Sequence, residues 1–271
     1  MGTEDRRFET LVQGLDINAR DYAYEMSQTT PPLRSYVIMF MARSGSSWLT
    51  SLLSGTEALG HPEEYINPNF VRDVARSLNA SEPDAFLKIL ERRRKTANGV
   101  FGIEVRAFDI HNFGAEKFFR HFGYETLFFN LWRENLILQA ISLYRAMASG
   151  RWHSTEAPAP LPDFDGDEIE RLAMQLLGEE NDNLQMLREK SRRFRPLRYE
   201  TMVADRAGTL RLFADALGVA LAPQHYAQPQ SGEHEKIGDG WNEDAEIRFR
   251  RERPGFAARL ETLRQIRQHA F

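Results

Sequence analysis

The sequence predicts a single α/β domain over residues 1–271, built on an open parallel sheet with helices on both faces. Three observations carry this. The apolar runs at 35–41, 99–105 and 126–132 are continuous, not alternating, as expected of strands covered on both sides. The intervals between them are far longer than a hairpin needs, which favours parallel pairing through crossovers. Those intervals hold amphipathic stretches of helical period.

In chain order, Phe8, Leu11, Val12, Leu15, Ile17 and Tyr22 recur at helix-like spacing over 5–27, and Pro31 and Pro32 stop that helix. Residues 1–34 read as an N-terminal helical arm. SYVIMFM at 35–41 is the first strand, ARSG the loop after it, and SSWLTSLLSG a helix that Gly55 can close. DVARSL (73–78) and DAFLKILERRR (84–94) read as helices before the strand GVFGIEV (99–105). TLFFNLW (126–132) is the next strand, followed by the helix NLILQAISLYRAMA (135–148). APAPLPDFDG (157–166) is a Pro-rich surface loop, and a helix resumes at 167–190. PLRYE (196–200) is a short last strand, and TLRLFADALG (209–218) a helix closed by Gly218.

Composition removes several functions. Lys and Arg number 35 against 39 acidic residues, a net charge of −4, which is the wrong sign for coating nucleic acid. Any anion must be gripped locally. The chain has no cysteine, which removes disulfides, thiolate catalysis, iron–sulfur clusters and Cys-based zinc sites. Its seven histidines show no H-x-x-x-H or similar spacing, so no metal is expected. No stretch reaches the ~18 apolar residues of a membrane span, and a soluble, cytoplasmic protein is the expectation.

Two segments are candidate phosphate sites. Between a buried parallel strand and the next helix, free backbone N–H groups and the helix dipole point into the crevice. Here that loop is Ala42-Arg43-Ser44-Gly45-Ser46-Ser47, with a glycine for close approach, hydroxyl donors and a guanidinium fork. It lacks the G-x-x-x-x-G-K-[ST] pattern of a nucleoside triphosphatase. A Ser-rich helix cap with a solvated arginine explains the segment equally well. In the second segment, Arg133 follows the third strand and Ser142 lies two turns into the next helix. They converge on one phosphate only if the helix folds back over the crevice; the alternative is a surface Arg133 paired with Glu134.

Taken together, MARSGSSWL (41–49), GHPEEYIN (60–67), LWRENLILQAISLYRAMASGRWH (131–153) and LRYETMVADRAGTLRLFADALG (197–218) resemble the landmarks of sulfotransferases that use 3′-phosphoadenosine 5′-phosphosulfate (PAPS). They are most similar to the bacterial carbohydrate group typified by trehalose 2-sulfotransferase. The landmarks fall in the family's order over about 180 residues. The resemblance implies a P-loop-like fold, PAPS as donor, no metal, and a carbohydrate or other small-molecule acceptor. It assigns Arg43, Ser44, Gly45, Ser46 and Ser47 to the 5′-phosphate and the departing sulfuryl group, and Arg133 and Ser142 to the 3′-phosphate. It assigns Glu64 as general base, with His61 as the second candidate beside Glu63. EKIGDGWNE (235–243) loosely resembles the basic loop that closes over the 3′-phosphate, with Lys236 as its candidate.

Several features depart from that pattern or lie outside it. Glu104 stands where related sequences place a lysine, and an acid beside a polyanion must either point away or reflect a different acceptor geometry. Tyr65 and Trp152 are candidate acceptor-pocket aromatics, whereas Trp132 and Tyr144 fit the core. The clusters Arg92-Arg93-Arg94-Lys95 and Arg192, Arg193, Arg195 are expected to be solvated helix ends. A homodimer packed through the N-terminal arm is compatible with the sequence. The competing functions are a P-loop-like kinase or other phosphotransferase, and a non-catalytic nucleotide- or sugar-binding protein.

Overall fold

The computed structural model describes residues 7–152, 156–157, 159–227 and 240–269, the last five by backbone alone. Lys236 and His153 lie outside the described residues. The chain enters through α1 (Phe8–Leu11) and α2 (Ala19–Gln28), then forms β1 (Arg34–Met39), α3 (Ser46–Ser54), α4 (Val71–Leu78), α5 (Pro83–Arg94) and β2 (Val100–Val105). After α6 (Ala107–Phe113) and α7 (Ala115–His121) come β3 (Leu127–Trp132), α8 (Leu136–Ser149), α9 (Gly166–Glu189) and β4 (Phe194–Arg198). α10 (Tyr199–Ala204), α11 (Arg206–Leu217), α12 (Pro223–Ala227), α13 (Gly240–Glu252) and α14 (Pro254–His269) complete it.

The four strands pair in the order β2-β1-β3-β4, all parallel. Successive side chains of β1 enter opposite layers: Val37 and Met39 pack with Phe101, Ile103 and Phe128 on one face. Tyr36 and Ile38 pack with Phe129, Leu131, Leu197 and Phe213 on the other. Both faces are therefore covered, which explains why the strand sequences are continuously apolar. A third cluster joins α8, α9, α13 and α14 through Ile141, Leu172, Phe249 and Leu260.

Three expectations need correction. The arm is not one helix over 5–27: Gly14 takes φ +73 after α1, and the Asn18 side chain then caps α2 by accepting from the N–H groups of Arg20 and Asp21. The last strand begins and ends two residues earlier than 196–200, and Tyr199 opens α10. Pro196 is tolerated because β4 is an edge strand. The basic clusters are not simply solvated. Arg92 donates to the Thr29 carbonyl and Arg93 meets Glu25, fastening α2 to α5, while Arg192 donates to the Phe119 carbonyl and lies over the Tyr124 ring. Among the described residues, no helix is long and apolar enough to cross a membrane.

Candidate anion-binding site

β1 and β3 are neighbours, and the chain leaves β1 for β2 on one side but returns to β3 on the other. At such a point the crossovers diverge and leave a crevice beyond the strand ends. β1 delivers Arg43 to that crevice and β3 delivers Arg133.

Arg43 holds a left-handed backbone, φ 62, which costs an L-residue about 1–2 kcal/mol. The turn throws its side chain across to α8, where Nε donates to Ser142 Oγ at 3.0 Å, and Nη1 donates to the Trp152 carbonyl just beyond that helix at 2.6 Å. Arg133 is buried; its Nη1 lies 3.5 Å from the Arg43 carbonyl and its guanidinium 4.8 Å from the Tyr199 ring centre. Its Nε is buried without a hydrogen-bond partner. Burial lowers both guanidinium pKa values, and Arg133 lowers that of Arg43 further. Guanidinium stays protonated through such shifts. Neither arginine forms an ion pair among the described residues. Two desolvated cations side by side therefore make a place where an anion relieves both burial cost and mutual repulsion.

The loop between them is tightly braced. Gly45 has φ +92 and stands at the N-cap of α3, with no side chain to occupy the first-turn N–H groups. A Cβ here would lie 2.3 Å from Tyr199 Cδ2. Ser46 is buried and Ser47 half-buried at the start of α3. Ser44 is fully buried, and its N–H and Oγ both donate to the Met41 carbonyl, at 3.2 and 2.7 Å, which closes the turn. Ser142 also lines a small cleft together with Arg145, Ser149, Arg151 and Asn242.

The predicted base lies in the turn that runs along the outer edge of β2, on the side away from β1. The Glu104 N–H donates to the Glu63 carbonyl at 3.1 Å, which ties residues 63 and 64 to the end of β2. Glu64 is half-buried and accepts from Asn67 Nδ2 at 2.5 Å, while Glu63 is exposed. His61 turns its ring toward Glu57, with Nε2 to Oε2 at 3.6 Å. Tyr65 is not an acceptor-pocket residue: it is buried, stacks on Phe101 and donates its hydroxyl to the His61 carbonyl. Trp152 is 41% exposed and stays available. Glu104 is buried, with Oε1 unpartnered. Burial above all, then Glu64 and Glu63, holds its carboxyl well above the usual range. A buried carboxyl of this kind sheds its charge, so the unexpected acid adds little negative field to the crevice.

The structure thus brings Arg43, Arg133, Ser142 and the Gly45 turn together, while the turn holding Glu63 and Glu64 is tied to the end of β2 and His61 faces Glu57. Sequence reasoning missed two supports. Gln139, fully buried, donates Nε2 to the Ala42 carbonyl at 2.7 Å; its signal was an amide on the apolar face of α8, one turn before Ser142. Tyr199, wedged between Gly45 and Arg133, fell inside the last expected strand, 196–200, and carried no signal as a support. Among the described residues, no group of three or more His, Asp or Glu side chains could hold a metal.

Residues 35–252 match the sequence model of a family described as Stf0 sulphotransferase. No curated protein matches the chain in sequence. Among solved structures, the chain is similar to sulfotransferase STF9 from Mycobacterium avium. That match has 14% identity, covers 90% of this chain and 79% of that one, and has a TM-score of 0.50. Sulfotransferase STF1 from Mycobacterium tuberculosis H37Rv matches at 15% identity over 90% and 83%, with a TM-score of 0.48. The sulfotransferase domain of the Synechococcus PCC 7002 olefin synthase matches at 15% identity over 78% and 82%, with a TM-score of 0.44. At such identities the STF9 likeness speaks to the fold alone.

Proposed function

Because the chain belongs to the Stf0 sulphotransferase family, we propose that it moves the sulfuryl group of PAPS to a hydroxyl of a carbohydrate or other small-molecule acceptor. Family membership sets the phosphotransferase alternative aside. The observation that carries the donor assignment is the pair of guanidiniums, half-buried Arg43 and buried Arg133, which meet at one crevice and form no salt bridge among the described residues.

Sulfuryl transfer, like phosphoryl transfer, asks the protein mainly to position its partners and stabilise charge on the leaving oxygen. Arg43 and the free N–H groups of Ser46 and Ser47 bind the 5′ end of the donor, where that charge develops. Arg133 and Ser142 bind the 3′-phosphate, and the Gly45 turn admits the anion close to the backbone. Donors aimed at developing charge contribute a few kcal/mol each. Glu64 takes the proton from the attacking hydroxyl, held in orientation by Asn67. Trp152, exposed beside Arg43, offers an apolar face to the acceptor.

Calorimetry with adenosine 3′,5′-bisphosphate tests the donor site without needing the acceptor. Charge-assisted bonds contribute about 1.5–3 kcal/mol each, so Arg43→Ala and Arg133→Ala should each weaken binding roughly ten- to hundredfold. Unaltered affinity in both variants would contradict the assignment. The acceptor is identified by incubating cell extract with protein and isotopically labelled PAPS, and finding by mass spectrometry the compound that gains one sulfate. Tight bisphosphate binding with no sulfated product from any acceptor would favour the binding-protein alternative.

A further inference from the structure

The family match ends at residue 252, yet α14 beyond it reaches into the site. Phe256, Ala257 and Leu260 seat this helix on the cluster formed with α8 and α9. One turn further on, Arg264 is buried. Its guanidinium meets three consecutive residues at the point where β3 ends and Arg133 departs. Nη2 donates to the Arg133 carbonyl at 2.5 Å, Nη1 donates to the Glu134 carbonyl, and the plane lies over the Trp132 ring at 5.1 Å. Glu180 of α9, also buried, faces the same guanidinium, with Nε to Oε2 and Nη2 to Oε1 both at 3.2 Å.

Stability alone is a weak reason for this arrangement. A buried ion pair gains little over well-packed apolar side chains of similar volume, because desolvation offsets the attraction. What the fork supplies that apolar packing cannot is direction. Carbonyls just past a strand end have left the ladder and need donors from elsewhere. A planar guanidinium grips two of them at a fixed spacing. The peptides so held are those from which the Arg133 side chain and the cap of α8 both spring.

We propose that Arg264 is a positioning residue for Arg133: by clamping the 133 and 134 carbonyls against Glu180, α14 sets the aim of the Arg133 guanidinium in the crevice. The site is thus incomplete without a helix that lies outside the family-matched segment. This rests on the reading that Arg133 binds the anion.

The test uses the full chain and adenosine 3′,5′-bisphosphate, with affinity measured by calorimetry well below the melting temperature of every variant. Arg264→Met keeps the bulk and removes the fork. It should weaken binding at least about tenfold, since misplacement by about 1 Å can cost up to ~10². Introduced into Arg133→Ala, the same change should have almost no further effect, because the group it positions is gone. A merely structural Arg264 would lower the melting temperature and leave both affinities unmoved, which overturns the proposal. Should Arg264→Met fail to fold, Arg264→Lys keeps the charge opposite Glu180, loses the two-carbonyl grip and carries the same expectation. If Arg133→Ala binds as tightly as the parent, the anion-site reading itself falls. If Arg133→Ala weakens binding and the Arg264 variants do not, only the positioning proposal falls.

Discussion

Gly45→Ala probes the binding loop where it has least room. The new methyl carbon would lie 2.3 Å from Cδ2 and 2.7 Å from Cε2 of Tyr199. An ordinary carbon–carbon contact is about 3.5–4.0 Å, so the ring must retreat by more than about 1 Å. Alanine at φ +92 adds backbone strain of about 1–2 kcal/mol, and overpacking adds about 1–3 kcal/mol. The sum, about 2–5 kcal/mol, corresponds in a chain of this size to a melting temperature lower by about 4–20 °C. The displaced ring also leaves the Arg133 guanidinium, 4.8 Å away. A cation–π contact is worth about 0.5–2 kcal/mol, so bisphosphate affinity should fall between about twofold and thirtyfold. Thermal denaturation and calorimetry read the two effects. A Tyr199→Ala background separates their origins: there the obstacle is gone, and Gly45→Ala should retain only its backbone cost. Parental stability and affinity in Gly45→Ala, or the same penalty in both backgrounds, would refute the reasoning.

Glu64→Gln should reduce turnover at least about a hundredfold, with bisphosphate affinity unchanged; near-normal turnover would remove Glu64 as the base. Glu104→Gln should raise the melting temperature, by an amount that grows with pH. Folding lifts the Glu104 pKa, so above the unfolded value near 4.5 the folded chain retains a proton that the unfolded chain has lost. Stability therefore declines as pH climbs toward the raised folded pKa, and glutamine abolishes that slope. Parallel melting curves for parent and variant between pH 4.5 and pH 8 would show that Glu104 does not titrate in this way.

The sheet was legible because burial on both faces leaves a direct mark, a continuous apolar run, on β1, β2 and β3. β4 was misplaced by two residues because, unlike β2, it is largely exposed: Arg195 and Pro196 interrupt its apolar signal. The phosphate loop announced itself through residue type at a strand end, so Arg43 and Arg133 could be named before their convergence was known. Their convergence could not be read from spacing, since it depends on β3 adding beside β1 and not beyond β2. Tyr65 was misjudged because an aromatic ring beside Glu64 reads as a pocket residue in one dimension, and only packing shows that the ring is buried on Phe101. Arg264 carried no sign at all, because its partners are backbone oxygens 130 and 131 positions away.

Under the proposed function, a chain of net charge −4 has to hold a polyanion. Carboxylates do act on the two guanidiniums, Glu156 on Arg43 and Glu200 and Glu246 on Arg133, yet neither arginine forms a salt bridge among the described residues, and burial is the largest influence on both. Burial of Glu104 at the end of β2 in turn disfavours its charged form. The overall charge of the protein is irrelevant to this, because desolvated pairs at a few ångströms outweigh solvated charges screened beyond about 8–10 Å.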